Sequence, residues 1–357
     1  MLFWILLALL ALFLGLGYYV MNLAVKGRRY TKEALAAQLD KPAYREIKET
    51  SLASIDWVAS HAHEELHVMS YDGKLLHATY LPKAHAKGTI LLFHGYRSCW
   101  QIDFGLVLPY YYDTLGYSLL LVDQRAHGQS QGKYLTFGVR ERMDVISWAT
   151  YMGQKLGPDA PLILGGLSMG ATTVLMASCF DFPANVRAII ADCGFTSPYE
   201  IAKSVLRRDY PRLPVGLLLP ICGLFTRLFA GFGLHDASTI DAVRESRYPI
   251  LFIHGTGDTF VPCEMTKTST DAQIVGSVSF INGDAQQFTD AKEYLDCIRE
   301  ELPHEATTGF RFRTITQDPA VRKAVDDIVF DLYGEENPCN EEDYNLAPSE
   351  EIQMGGM

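Results

Sequence analysis

The sequence has few basic residues for its length, and they form no cluster or stripe. It contains 31 lysines and arginines against 42 aspartates and glutamates, which gives a formal net charge of −11. Nucleic-acid binding needs a basic patch that neutralises phosphates, so this charge balance argues against a nucleic-acid partner. Internal repeats are absent from the sequence as well, which argues against an array of repeated units.

Cysteine is also scarce, and no cysteine has a nearby cysteine or histidine at the spacing of zinc ligands. The seven residues are Cys99, Cys179, Cys193, Cys222, Cys263, Cys297 and Cys339. Their odd number and wide separation are typical of free thiols in a reducing compartment rather than of a disulfide framework. We therefore expect no metal site and no cofactor.

Charged residues are missing from the first 25 positions, Met1–Val25. A helix of about 20 apolar residues spans the core of a bilayer, and Tyr18 and Tyr19 would then lie near the interface. The run has no clear basic start, short apolar centre or small-residue cleavage site of a signal peptide. It predicts an uncleaved transmembrane anchor over residues 1–25.

Basic residues follow this predicted anchor directly. By the positive-inside rule they predict a single-pass protein of the cell membrane with its main domain on the cytoplasmic side. These residues are Lys26, Arg28, Arg29 and Lys32. Residues 26–59 are predicted to be a juxtamembrane linker that contains a helix near Lys32–Leu39.

A regular alternation of short apolar runs and helix-length segments begins near residue 60. An antiparallel hairpin is predicted around Asp72-Gly73, because alternating apolar and polar residues flank a turn dipeptide. The following apolar runs have no polar face, which is typical of a parallel sheet covered by helices on both sides. These runs are 88–95, 117–123, 161–166, 187–192 and 248–255, and the clearest helices between them are 138–155 and 169–180.

Residues 199–247 interrupt this alternation. Their apolar stretch, 213–234, contains Pro214, Pro220 and Arg227, which disfavour a second membrane span. We predict instead a lid of short helices over the edge of the sheet.

A serine between two glycines, in Gly166-Leu167-Ser168-Met169-Gly170, matches the nucleophile pattern G-x-S-x-G. An apolar strand precedes it and a helix-forming segment follows it, so Ser168 is the candidate nucleophile, with a structural Ser-Gly turn as the alternative. In such a site the backbone N–H after the serine, that of Met169, binds the oxyanion together with an N–H from an earlier loop. Tyr96 or Arg97 would supply the second N–H, in a loop where His94 is expected to be a packing residue.

Five motifs in this order resemble those of the α/β-hydrolase superfamily, and more narrowly its membrane-anchored bacterial branch of serine aminopeptidase-like and acyl-esterase-like proteins. They are FHGYRS (93–98), DQRAHGQS (123–130), GGLSMGA (165–171), DCGFTS (192–197) and FIHGTGDTFVP (252–262). The resemblance implies an α/β-hydrolase fold over residues 60–333, with a mostly parallel central sheet, helices on both faces and a helical lid. It also implies a catalytic acid after the serine, at Asp258, with Asp192 as the alternative.

The resemblance further implies a catalytic histidine after the last strand, and this sequence departs from that pattern. The two segments that resemble the expected loop carry Gln286 and Gln287 or Arg311 and Arg313 instead. His304 is the single histidine beyond Asp258, and it is therefore the predicted base. The alternatives are that region 272–313 is anomalous and has lost the base, or that the protein is a hydrolase relative without activity.

The predicted function is that of a membrane-anchored serine hydrolase that cleaves an ester or similar acyl bond in a small-molecule substrate with an apolar acyl group. A peptidase of the serine aminopeptidase-like type and a non-catalytic binding protein are the alternatives. Residues 334–357 are acidic and poor in apolar side chains, which predicts a disordered tail.

Overall fold

The structure, a computed structural model, describes residues 2–45, 47–255, 258–272 and 277–282. The predicted base His304, the glutamines and arginines near the expected histidine position, and the tail 334–357 lie outside these residues.

Within the described residues, eight strands form a single sheet in the order β1-β2-β4-β3-β5-β6-β7-β8. The strands are β1 (Glu64–Met69), β2 (Leu75–Leu81), β3 (Thr89–Phe93), β4 (Ser118–Asp123), β5 (Leu162–Leu167), β6 (Val186–Asp192), β7 (Ile250–Gly255) and β8 (Ser277–Asn282). Strand β2 pairs antiparallel with both β1 and β4, and all pairs from β4 to β8 are parallel. This arrangement confirms the predicted hairpin and the mostly parallel sheet.

The α-helices of the same residues surround this sheet. They are α1 (Leu2–Val25), α2 (Lys32–Leu39), α3 (Lys48–Ser60), α4 (Trp100–Asp103), α5 (Glu141–Leu156), α6 (Met169–Ala177), α7 (Pro198–Asp209), α8 (Val215–Phe225), α9 (Thr239–Glu245) and α10 (Glu264–Ala272). Helices α2, α7 and α9 begin after Thr31, Ser197 and Ser238, whose side chains accept hydrogen bonds from backbone N–H groups of the first turn.

Apolar cores lie on both faces of the sheet, because β3 and β4 carry buried side chains in both directions. On one face the sheet packs against α5, α6 and α9, with Trp148 fully buried. On the other face it packs against α3, α4 and the segment after α4, where Phe104 and Leu108 are buried. Strands covered on both sides explain why the sequence showed unbroken apolar runs.

Helix α1 leaves the body of the protein along one side of the residues predicted as a lid. Phe13 and Phe225 pack edge to face with ring centroids 5.4 Å apart, and Tyr18 lies against Phe229 at 5.0 Å. A Cβ at Gly17 would overlap the Phe225 ring, so α1 and α8 approach closely only because Gly17 has no side chain. Among the described residues, α1 is the one helix long and apolar enough to cross a membrane.

Residues 26–59 fold against the domain as α2 and α3. Leu35 and Leu39 of α2 are buried against Cys99 and Ile102, which lie just beyond the loop that follows β3. This part of the chain thus connects α1 to the edge of the sheet where β3 ends.

Candidate active site

Ser168 lies in the sharp turn between β5 and α6. Its backbone has φ +55° and ψ −114°, a conformation that residues with a Cβ rarely adopt. The turn is held in place because the Ser168 N–H donates a hydrogen bond of 2.7 Å to the carbonyl oxygen of Asp192. Such strain at a single serine, fixed by the surrounding structure, is typical of a functional site.

The two glycines of the G-x-S-x-G pattern are required by packing. A Cβ on Gly166 would lie far inside 3.0 Å of the Gly170 backbone, and a Cβ on Gly170 would overlap the carbonyl group of Phe93. Backbone atoms, unlike the end of a flexible side chain, cannot move away without a large cost in free energy. Helix α6 can therefore approach β3 and β5, and present Ser168 at the sheet edge, only with glycine at both positions.

The loop after β3 lies directly beside Ser168. A Cβ on Gly95 would lie 3.3 Å from the Ser168 Cβ. Met169 is fully buried at the start of α6 and packs with Tyr96. The backbone N–H groups of Met169 and Tyr96 have no hydrogen-bond partner among the described residues. Both predicted oxyanion donors are thus near Ser168 and available to a ligand.

Asp103, which the sequence patterns did not reveal, binds the loop after β3 through two hydrogen bonds. Its Oδ2 accepts the Gly95 N–H at 2.6 Å, and its Oδ1 accepts the Ser98 hydroxyl at 2.6 Å. Burial raises the pKa of Asp103, although the bonds from Ser98 and Gly95 oppose the shift. No local pattern marks Asp103, because the contact is made between a helix and a loop that only the fold brings together.

Asp258, the predicted acid, lies in the loop after β7, two strands from β5 in the sheet. Neighbouring strands are about 4.8 Å apart, so the ends of β5 and β7 are separated by roughly 10 Å, and the loops that carry Ser168 and Asp258 leave the same edge of the sheet. The Oδ1 of Asp258 accepts the N–H groups of Phe260 and Val261 at 2.7 and 2.9 Å. Burial opposes ionisation, but these bonds and His254 outweigh it and hold the pKa of Asp258 below its usual value.

Cys193 follows β6, the strand between those of Ser168 and Asp258, and sequence reasoning did not select it. Its φ is +49°, and its N–H donates to the Ile253 carbonyl at 2.8 Å. Burial raises the pKa of the Cys193 thiol well above its usual value, and the charges of Asp192 and Asp258 raise it further. The thiol is therefore uncharged at neutral pH and inert as a nucleophile.

Three described histidines come close in sequence to the site motifs, and each is buried with structural partners. Burial and the neighbouring His94 lower the pKa of His127 to about 3. The Nε2 of His94 accepts the Gln124 N–H, and the Nε2 of His254 lies 2.9 Å from the carbonyl oxygen of Val261. His94 is thus a packing residue, as predicted. The predicted base, His304, lies outside the described residues.

An apolar cavity of about 120 Å³ lies on the α4 side of the sheet, below the turn that carries Ser168. Its polar groups belong to Asp103, Tyr111 and Asp192, and its other lining residues are apolar or glycine. Cavities of this order hold a small apolar group such as a benzene ring. No group of three or more histidine, cysteine or acidic side chains that could bind a metal occurs in the described part of the chain.

The parallel sheet, the strained serine and the loop beside it define a protein of the α/β-hydrolase fold. Residues 88–213 match the family described as alpha/beta hydrolase fold. An esterase of Pyrococcus furiosus, Pf2001, superposes with a TM-score of 0.53 at 17% identity, over 71% of this chain and 93% of its own. The chain is therefore an α/β-hydrolase-fold protein, as its motifs predicted.

Two curated proteins are similar in sequence. The uncharacterized protein YqkD of Bacillus subtilis (strain 168) is 32% identical over 182 residues, which cover 50% of this chain and 58% of that protein. The lysophosphatidylserine lipase ABHD12 of Danio rerio is 26% identical over 244 residues, which cover 67% of this chain and 57% of that protein. The chain thus spans less than two thirds of the length of these relatives.

Proposed function

We propose that this protein is a membrane-anchored serine hydrolase that cleaves an ester or similar acyl bond in a substrate with an apolar acyl group. The observation that carries the proposal is the strained backbone of Ser168, with φ +55° at the carboxyl edge of the sheet. A structural turn would gain nothing from this strain, whereas a nucleophile gains an exposed hydroxyl beside two backbone N–H groups.

The proposed reaction begins when the Ser168 hydroxyl oxygen attacks the acyl carbonyl carbon and its proton passes to the base. The N–H groups of Met169 and Tyr96 stabilise the negative charge that forms on the carbonyl oxygen. The tetrahedral intermediate then collapses, the alcohol leaves with the proton from the base, and an acyl-serine remains. Water, deprotonated by the same base, releases the acid and restores Ser168.

Asp258 and His304 complete the proposed triad. The carboxylate of Asp258 stays ionised because its pKa is lowered, so it can orient an imidazole and stabilise its protonated form. Its Oδ1 accepts the N–H groups of Phe260 and Val261, and its Oδ2 lies 3.5 Å from the Nε2 of His254, so the proposed base would share Oδ2 with His254. The described histidines nearest the motifs are buried by structural contacts, which favours a base from the segment beyond Asp258, where His304 is the one histidine.

Apolar surface around the site favours a lipid-like substrate in a membrane. The side chains of α1 are largely exposed, and the adjoining lid residues Leu217, Leu224 and Leu228 are 63%, 49% and 59% exposed. Because α1 packs against this lid, a bilayer that holds α1 would also meet these leucines. The Danio rerio relative is a lysophosphatidylserine lipase, which supports a lipid ester as the substrate.

A fluorophosphonate probe tests the nucleophile in the full-length protein. We expect wild type to be labelled and Ser168→Ala not to be labelled. Ser60→Ala is a matched control, because Ser60 is exposed at the end of α3 and far from the site in sequence. Labelling of Ser168→Ala at the wild-type level would show that Ser168 is not the nucleophile.

Hydrolysis of p-nitrophenyl esters tests the base. Members of a triad act as a unit, so His304→Ala, Ser168→Ala and the double variant should lose similar activity. Full activity in His304→Ala would show that another group is the base. Bound ester without turnover in wild type would favour the non-catalytic alternative, and faster cleavage of aminoacyl p-nitroanilides than of esters would favour the peptidase.

The membrane topology is part of the proposal, with a single span and the domain on the cytoplasmic side. Four basic residues follow the apolar run within residues 26–32, and this distribution supports that orientation. Alkaline phosphatase fused after residue 357 should be inactive in a bacterial host, because this enzyme folds only outside the cytoplasm. An active fusion would show that the domain lies on the opposite side of the membrane and that the proposed orientation is wrong.

A further inference from the structure

The last four carbonyl groups of α1 have no partners within the helix, and all four are nevertheless hydrogen-bonded. The Asn22 oxygen accepts the Lys26 N–H and the Val25 oxygen accepts the Leu135 N–H. The remaining two oxygens, of Leu23 and Ala24, accept side-chain donors from the loop that follows β3.

These two donors are consecutive residues of the proposed oxyanion loop. The Tyr96 hydroxyl donates to the Ala24 oxygen at 2.6 Å, and the Arg97 guanidinium donates to the Leu23 oxygen at 2.9 Å. Arg97 makes no ion pair among the described residues. The helix end, with its partial negative charge, is thus a favourable partner for this cation.

The backbone of the same loop needs outside support. Arg97 has φ +50°, a strained conformation for a residue with a side chain. Asp103 binds Gly95 and Ser98, and the Tyr30 hydroxyl donates to the Arg97 carbonyl at 2.9 Å. The side-chain contacts of Tyr96 and Arg97 hold the same loop against α1.

We propose that the last turn of α1 positions the oxyanion donor through Tyr96 and Arg97, so that the membrane helix forms part of the active-site scaffold as well as an anchor. This inference rests on the proposed function, because it assigns a role to the loop in that reaction. An oxyanion donor must lie 2.7–3.1 Å from the developing charge. A loop released from α1 would therefore stabilise the transition state less, while substrate binding elsewhere would be unchanged.

The test compares full-length variants in detergent micelles with p-nitrophenyl butyrate as the substrate. Tyr96→Phe/Arg97→Met removes both donors to α1 and keeps most of the apolar volume. We expect its kcat, normalised to sites titrated with fluorophosphonate, to fall roughly tenfold, a fraction of the 10²–10³ lost with a whole donor. KM should stay within about twofold. Arg97→Lys, which keeps a cationic donor, should retain most of the rate that Arg97→Met loses.

Lys133→Met is the matched control. The Lys133 ammonium donates to the Tyr18 hydroxyl at 3.1 Å, so this variant also loses a contact with α1, but one more than a helical turn before the carbonyls that Tyr96 and Arg97 bind. Its kcat should remain at the wild-type level. An equal loss of kcat in Lys133→Met and in the double variant would mean that α1 acts through general stability, and the inference would be wrong.

Hydrogen–deuterium exchange provides a readout that does not depend on catalysis. The Gly95 N–H donates to the Asp103 carboxylate and the Ser98 N–H donates to the Gly95 carbonyl oxygen, so both should be protected in wild type. Faster exchange in a peptide covering residues 94–99 is expected for Tyr96→Phe/Arg97→Met and not for Lys133→Met. Unchanged exchange would overturn the inference. If turnover proves independent of Ser168, the proposed function fails, and the exchange result still decides whether α1 holds the loop.

Discussion

Replacement of Ser168 by glycine should make the protein more stable than replacement by alanine. Both variants lack the nucleophile, so neither should react with a fluorophosphonate. They differ in backbone freedom, because alanine keeps the Cβ that makes φ +55° unfavourable, whereas glycine does not.

The size of this difference follows from two opposing contributions. A residue with a side chain in such a sparsely populated conformation costs about 1–3 kcal/mol. Glycine adds about 0.5–1 kcal/mol of conformational entropy to the unfolded chain. Taking the middle of each range, Ser168→Gly should exceed Ser168→Ala by about 1 kcal/mol in the free energy of unfolding. In a large domain this corresponds to a melting temperature higher by roughly 2–4 °C.

Ser178 is the matched control, because it ends α6, whereas Ser168 precedes the same helix. Its backbone is right-handed helical, with φ −65° and ψ −18°. Both variants lose the hydroxyl bond to the Ala242 carbonyl equally. At this position glycine should be less stable than alanine, so the sign of the difference is reversed. Thermal unfolding of the four variants in one detergent measures both differences, and an equal sign at the two positions would refute the reasoning from strain.

Three further predictions concern the same edge of the sheet. Gly170→Ala should displace α6 from β3 and lower kcat about 10²-fold, whereas Gly216→Ala, which meets nothing within 4 Å, should leave kcat unchanged and slightly raise the melting temperature. Asp258→Asn should lower kcat for esters by about 10⁴-fold, whereas Asp192→Asn should keep it within about tenfold if Asp192 is not the acid. Since the folded-state pKa of Asp258 is lowered, its ionised form stabilises the protein above its ordinary pKa, and the stability advantage of wild type over Asp258→Asn should vanish as the pH falls through the lowered pKa.

Local sequence patterns were sufficient to predict the strands and the sharp turn at Ser168. Strands β3 to β7 were found because a buried parallel strand needs apolar side chains on both faces, which leaves a continuous apolar run. The turn at Ser168 was predictable because α6 can pack closely only with glycine at positions 166 and 170. This requirement appears in the sequence as the G-x-S-x-G spacing.

The contacts that hold the proposed oxyanion loop could not be predicted in this way. The contacts of Tyr96 and Arg97 with α1 join residues 72 and 74 positions apart. Tyrosine and arginine at these positions have many possible partners, and only the fold selects one. Residues 26–59 illustrate the same limit, because their packing against Cys99 and Ile102 depends on a loop far along the chain.

Backbone strain identifies the same site without any motif. Four non-glycine residues with positive φ lie just after successive strands of the parallel sheet: Arg97 after β3, Ala126 after β4, Ser168 after β5 and Cys193 after β6. The carboxyl ends of parallel strands share one edge, so these strained residues are neighbours. Each such conformation costs about 1–3 kcal/mol and persists only where surrounding contacts enforce it. Destabilising backbone conformations are thus concentrated at the edge where the carbonyl of the proposed substrate would bind. The contacts of α1 with the loop at Arg97 help to maintain one of them.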